Sequence, residues 1–127
     1  MVMNPKQIAA VFALPPVERF EHFVKVVADR QKAWGLYQDG WAMAGTAEGD
    51  MVFPLWPQRE YAEACALDAW AGYTATEIPL HDLMHVLLPR LRTDGVLPGV
   101  LPTPSSKGTT PSVDELIAAL EEELKRY

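Results

Sequence analysis

The chain is poor in the residues that most chemistry needs. It has a single cysteine, Cys65, among 127 residues. An intramolecular disulfide is therefore excluded, as are the zinc motifs built on cysteine pairs. Basic residues are scarce too: 11 Lys and Arg face 17 Asp and Glu, for a formal net charge of −6. A nucleic-acid footprint needs a basic face, so nucleic acid is not an expected partner. The first 32 residues hold five Lys/Arg and three Asp/Glu, too small an excess to change this. Long apolar runs are also missing. The stretch from Ile8 to Leu14 is too short to span a bilayer, and it lacks the basic flank and cleavage site of a signal peptide. The chain closes on Glu121-Glu122-Glu123-Leu124-Lys125-Arg126-Tyr127, which is no lipidation signal. The expectation is a soluble cytoplasmic protein with no membrane partner. There is no Gly-x-Ser-x-Gly elbow, no phosphate-binding Gly-x-x-x-x-Gly-Lys loop and no His-Glu-x-x-His helix, so no cofactor is implied.

What is present is ordinary globular composition, 49% hydrophobic and 22% charged, enough to bury a core without metal or disulfide. No internal repeat or linker divides it, so residues 1–127 read as one domain. Asn4-Pro5-Lys6-Gln7 is a capping box with proline at the first helical position. Pro15-Pro16 separates that helix from a second, striped by Val17, Phe20, Phe23, Val24 and Val27 and expected to end near Ala33. Trp34 to Trp41 reads as a hairpin turning at Asp39-Gly40, and with Met51–Trp56 it predicts a three-strand antiparallel meander. Pro54 should lie on an edge or end its strand early. A third helix is predicted from Pro57 to about Leu67, a strand over Tyr73–Pro79, and a helix over His81–Thr93 kinked at Pro89 or weak in its second half. An edge strand is predicted over Val96–Leu101. Pro102–Pro111 has the composition of a mobile surface loop, and Ser112-Val113-Asp114-Glu115 launches a last helix. The order ααβββαβαβα predicts an α+β fold: a small, mainly antiparallel sheet of about five strands with about five helices packed on it.

Several of these segments form a pattern that is specific in combination. It runs Trp34-Gly35-Leu36-Tyr37, Gly40-Trp41-Ala42, Phe53-Pro54-Leu55-Trp56-Pro57 and Tyr61-Ala62. It continues with Ile78-Pro79-Leu80, Leu88-Pro89, Leu91 and Pro102-x-Pro104-x-x-Lys107-Gly108 before a Leu-rich helix. In this the chain resembles, over nearly its whole length, the bacterial family called domain of unknown function 2750. The resemblance implies a small stand-alone bacterial protein and brings no activity, substrate or catalytic residue with it.

Candidate sites therefore rest on chemistry alone. Eight of the twelve aromatics lie between Trp34 and Tyr73, and from Ala33 to Leu80 there are seven Asp/Glu against one Arg. Most of these rings belong in a core. Tyr37, Asp39 and Trp41, near the hairpin tip, are the candidates for contact with a protein partner, a basic one by charge. His81 and His85 stand at i and i+4 on one helix face, a spacing that suits a divalent metal if Asp82, His22 or Glu63 supplies a third ligand. The plain alternative is a solvent-exposed pair. Cys65, between Ala64 and Ala66, reads as a small hydrophobe rather than a nucleophile. Ser105–Thr110 with Lys107 is a weak anion-binding pattern beside the simpler reading as a loop. Glu121–Glu123 reads as a solvated helix face. Two functions follow: a non-enzymatic protein-binding or adaptor domain that neutralises a basic partner, or a small enzyme or metal-binding protein using His81 and His85.

Overall fold

The computed structural model describes residues 3–127. Helix α1 (Pro5–Phe12) starts as its sequence dictates, with the Asn4 side chain accepting from the Lys6 amide and Gln7 reaching back to the Asn4 amide. Helix α2 (Pro16–Arg30) buries Phe23, Val24, Val27 and Ala28. It stops three residues before the expected end because Gln31 turns left-handed (φ 63°) and the chain enters β1 (Lys32–Tyr37).

The chain reverses at Asp39-Gly40, but through three residues between the bridged pair Tyr37 and Trp41, with Gly40 at φ 153°, rather than through the two-residue type I′ turn that the pair predicts. Asp39 has φ 55°, and the Gln38 amide donates to the Gly40 carbonyl at 2.9 Å. The meander does not form. Strand β1 pairs along its full length with β4 (Thr74–Pro79), antiparallel, from Lys32 opposite Pro79 to Tyr37 opposite Thr74. After the turn only Ala44–Gly45 (β2) is extended, too short to partner six residues, whereas β4 matches β1 in length. Strand β2 pairs instead with β3 (Met51–Leu55), and β5 (Leu97–Val100) joins β3 in parallel. The parallel ladder follows from the long helical crossover between β3 and β5.

The strands thus divide into a two-strand and a three-strand sheet rather than forming one. The two are joined at a single bridge, where Trp34 and Trp56 exchange amide–carbonyl bonds of 2.8 and 2.9 Å. The α+β class and the antiparallel majority of ladders are as the sequence predicts. Pro98 sits on the edge strand β5. Against expectation, Pro54 lies in the central strand β3, which runs on to Leu55; it is tolerated there because two-residue β2 pairs only with Met51 and Val52, so its missing N–H leaves no gap in that ladder.

Helix α3 (Arg59–Ala64) is shorter than predicted, and a 3₁₀ turn (Asp68–Trp70) follows it. The predicted helix over His81–Thr93 is a continuous rod from α4 (Leu80–Asp82), through a π turn (Leu83–Leu87), into α5 (Leu88–Asp94). The Leu88 amide reaches back five residues to the Leu83 carbonyl. Pro89 cannot supply an N–H to His85, and the π turn carries the helix through that loss, so that its second half forms. Helix α6 (Val113–Leu124) carries the predicted Ser112–Glu115 capping box and packs on α2. Arg92 of α5 pairs with Asp114 of α6. One contiguous core runs through both sheets, with Phe23, Leu36, Leu55, Trp56, Tyr61, Leu83, Leu88 and Leu116 all but fully enclosed. No described helix is long and apolar enough to cross a membrane.

The segment after β5 departs from the predicted mobile loop. Leu101 is fully buried in a left-handed conformation (φ 50°), and Pro102 and Thr103 are buried beside it. The Pro102 carbonyl accepts from the Trp56 indole at 2.9 Å and from the Cys65 thiol at 3.4 Å. Thr103 and Ser106 close a turn through reciprocal backbone bonds, and Thr109 pairs back onto Val100. Gly108 (φ 75°) is required here, because a Cβ at that position would lie 2.4 Å from the Val100 carbonyl oxygen.

Candidate functional site

The rod α4–α5 and the segment around Trp41 face each other across an open groove of about 690 Å³. Its floor is apolar, formed by Trp41, Met43, Phe53, Ile78, Leu87 and Leu91, with Val86 on its wall. Val86 is 58% exposed, an apolar side chain with no described cover. Three carboxylates lie along the groove, Glu77 from β4, Asp82 from α4 and Asp94 from α5, against one cation, Arg90. Glu77 shares its charge with Lys32 at 3.0 Å. The groove is therefore apolar in the middle and acidic on its rim.

The π turn builds this wall. Asp82, Val86, Arg90 and Asp94 are spaced by four, and in a regular α-helix each such step overshoots a full turn by about 40°. The wider π turn takes up part of that overshoot, so the four side chains stay along one groove.

Trp41 is set by packing. Its ring lies over Gly35 of β1, where an added Cβ would meet Trp41 Cζ3 at 2.8 Å. It stacks edge-on with Tyr37 at 5.2 Å and at a tilt with Phe53 at 5.5 Å. Trp41 is half-buried and forms part of the groove floor, while Tyr37 remains 43% exposed beside it. Asp39 is exposed in the turn and does not line the groove. Of the three predicted partner-contact residues, the structure brings Tyr37 and Trp41 together and leaves Asp39 apart. Sequence reasoning missed Met43, Val86 and the acidic rim. The four-residue spacing of Asp82, Val86, Arg90 and Asp94 was the available signal, but its face shows only once the π turn is known.

His81 and His85 do meet, with ring centroids 4.7 Å apart on the exposed side of the rod. Asp82 lies 3.8 Å from His81 Nδ1. Among the described residues no group of three His, Cys, Asp or Glu side chains is placed to hold a metal ion. His22 lies on α2, with its ring edge-on to Tyr61 at 6.1 Å and its Nε2 buried without a partner among the described residues. Burial, helped by the charge of Lys25, holds its imidazole below the ordinary value. Cys65 caps the end of α3 in the core, where burial pushes its thiol up to about 12. That thiol is protonated at neutral pH and serves as a hydrogen-bond donor to Pro102, not as a nucleophile.

A family model described as a protein of unknown function (DUF2750) matches residues 20–120. That span runs from α2 almost to the end of α6 and includes both sheets and the whole groove. No curated protein and no solved structure matches the chain.

Proposed function

We propose that this chain, which belongs to the DUF2750 family of proteins of unknown function, is a non-enzymatic binding module whose groove docks a cationic, amphipathic segment of a partner protein. The observation that carries this reading is the composition of the groove. Its apolar floor offers the desolvated centre that binding hot spots require, with an aromatic anchor in Trp41. Its rim holds Asp82 and Asp94 against Arg90, with a third carboxylate, Glu77, already paired to Lys32, and the chain as a whole bears −6. Such a surface speeds encounter with a basic partner and disfavours an acidic one. Neutralising a basic protein is the role that this chemistry suits.

Titration of the intact protein with helical peptides tests the reading, using Trp fluorescence. One peptide series carries Leu and Phe on one face and Lys and Arg on its flanks, and a control series replaces the cations with Glu. The cationic series binds, more weakly as salt rises, and the Glu series does not. The exposed-site variants Asp82→Lys and Val86→Lys each reduce affinity roughly tenfold without lowering thermal stability. Equal binding of the two series, or full affinity in both variants, would defeat the proposal.

A further inference from the structure

A second concavity lies on another part of the molecule, between the segment after β5 and strands β2 and β3. Its volume is about 330 Å³, within the lower range of small-molecule pockets. Trp70, Pro54 and Pro104 give it flat apolar walls. Trp70 is itself held edge-on against the buried Trp56, with centroids 6.1 Å apart. Ser106, Lys107 and Thr110 supply its polar side. No carboxylate lines it, although the chain is acidic overall.

Behind Ser106 stands Arg19 of α2. It is 5% exposed, and no carboxylate lies in ion-pair range of it among the described residues. Its guanidinium donates to the Phe12 carbonyl at 3.2 Å and to Ser106 Oγ at 3.0 Å, and its Nε has no partner among the described residues. A buried cation without a counter-charge is costly unless something nearby offsets it. The Gly108 amide also points at Ser106 Oγ, at 3.4 Å. With both acceptor positions of that oxygen facing N–H donors, the Ser106 proton is free to donate. Ser106 thus relays the buried positive charge to the pocket wall, beside the exposed ammonium of Lys107.

We infer that this pocket binds a small anion with a flat apolar body, a carboxylate or a phosphate monoester, its ring against Trp70 and the prolines and its charge at Ser106 and Lys107. The inference is independent of the groove on the opposite wall of β3 and stands or falls by its own experiment. Uniformly ¹⁵N-labelled protein is titrated with phenyl phosphate, benzoate and benzyl alcohol, and amide and indole shifts are followed residue by residue. The expected result is a saturable shift at Trp70, Ser106, Lys107 and Thr110 with at least one anion, none with benzyl alcohol, and no change at Trp41 or Val86. Saturation by phenyl phosphate alone assigns a phosphate ester, and saturation by benzoate assigns a carboxylate. Lys107→Gln and Ser106→Ala each weaken binding roughly tenfold, the scale of one charge-assisted hydrogen bond. Lys107 is exposed and leaves the fold intact, so its variant decides the matter even where Ser106→Ala perturbs the turn. The inference is overturned if neither anion saturates by about 10 mM, well above a millimolar Kd. It is equally overturned if benzyl alcohol binds as well as the anions, or if Lys107→Gln binds as tightly as the parent.

Discussion

Single side chains in this protein do what their surroundings permit, and two of them give direct measurements. Cys65 sits in the core with its thiol held up near 12 and pointed at the Pro102 carbonyl. The folded protein is therefore inert to a thiol reagent such as dithiobis-nitrobenzoate at neutral pH and reacts fully once denatured. Rapid labelling of the native protein would show that the segment over Cys65 opens. His22 reports on stability. Its imidazole is held below the ordinary value of 6.5 by burial and by Lys25, so the unfolded chain takes up that proton first as the pH falls. The contribution of neutral His22 is fully present above 6.5 and is lost progressively as pH falls through the lower folded-state value. Urea midpoints measured from about pH 7.5 to about pH 5.5 should decline in the parent and decline less in His22→Gln.

Elements follow local rules where the signals are local. The two capping boxes, at Asn4–Gln7 and Ser112–Glu115, form as the residues dictate. Ser112→Ala removes the acceptor of the Glu115 amide at the start of α6 and should cost about 1 kcal/mol, seen as a lowered thermal midpoint. No change would mean that packing of Val113 and Leu116 alone holds the end of α6. The rod α4–α5 obeys a less local rule. Pro89 announces a disturbed hydrogen bond, but whether the helix kinks, ends or widens depends on what lies against it. Here Leu83 and Leu88 are both fully buried, and the π turn keeps both in the core while carrying the helix past the proline. The same turn lines up Asp82, Val86, Arg90 and Asp94 along the groove.

At the scale of the whole molecule, the two small sheets meet at Trp56. Its backbone bridges Trp34 across the sheets, and its fully buried indole donates to the Pro102 carbonyl. Trp56→Phe leaves that carbonyl with the Cys65 thiol as its remaining side-chain donor and opens space in the core. The expected loss is about 2–4 kcal/mol in chemical denaturation, from the missing bond and the partial cavity together. A loss under about 1 kcal/mol would show that the indole bond to Pro102 adds little to the surrounding apolar packing.

The sequence by itself determined the α+β class, the caps, the chain reversal at Asp39-Gly40 and the buried place of Cys65. Each depends on neighbours within a few residues or on side-chain polarity. Tertiary structure decided the rest. It paired β1 with β4 across the 36 residues that separate Tyr37 from Thr74, because an extended strand takes whichever partner matches its length and buries its faces. It ordered Pro102–Thr110, whose loop-like composition says nothing of the buried donors on Trp56, Cys65 and Arg19 that meet it. It gathered Trp41, Val86 and the acidic rim into one groove, since side chains from separate elements become neighbours only when the core between them closes.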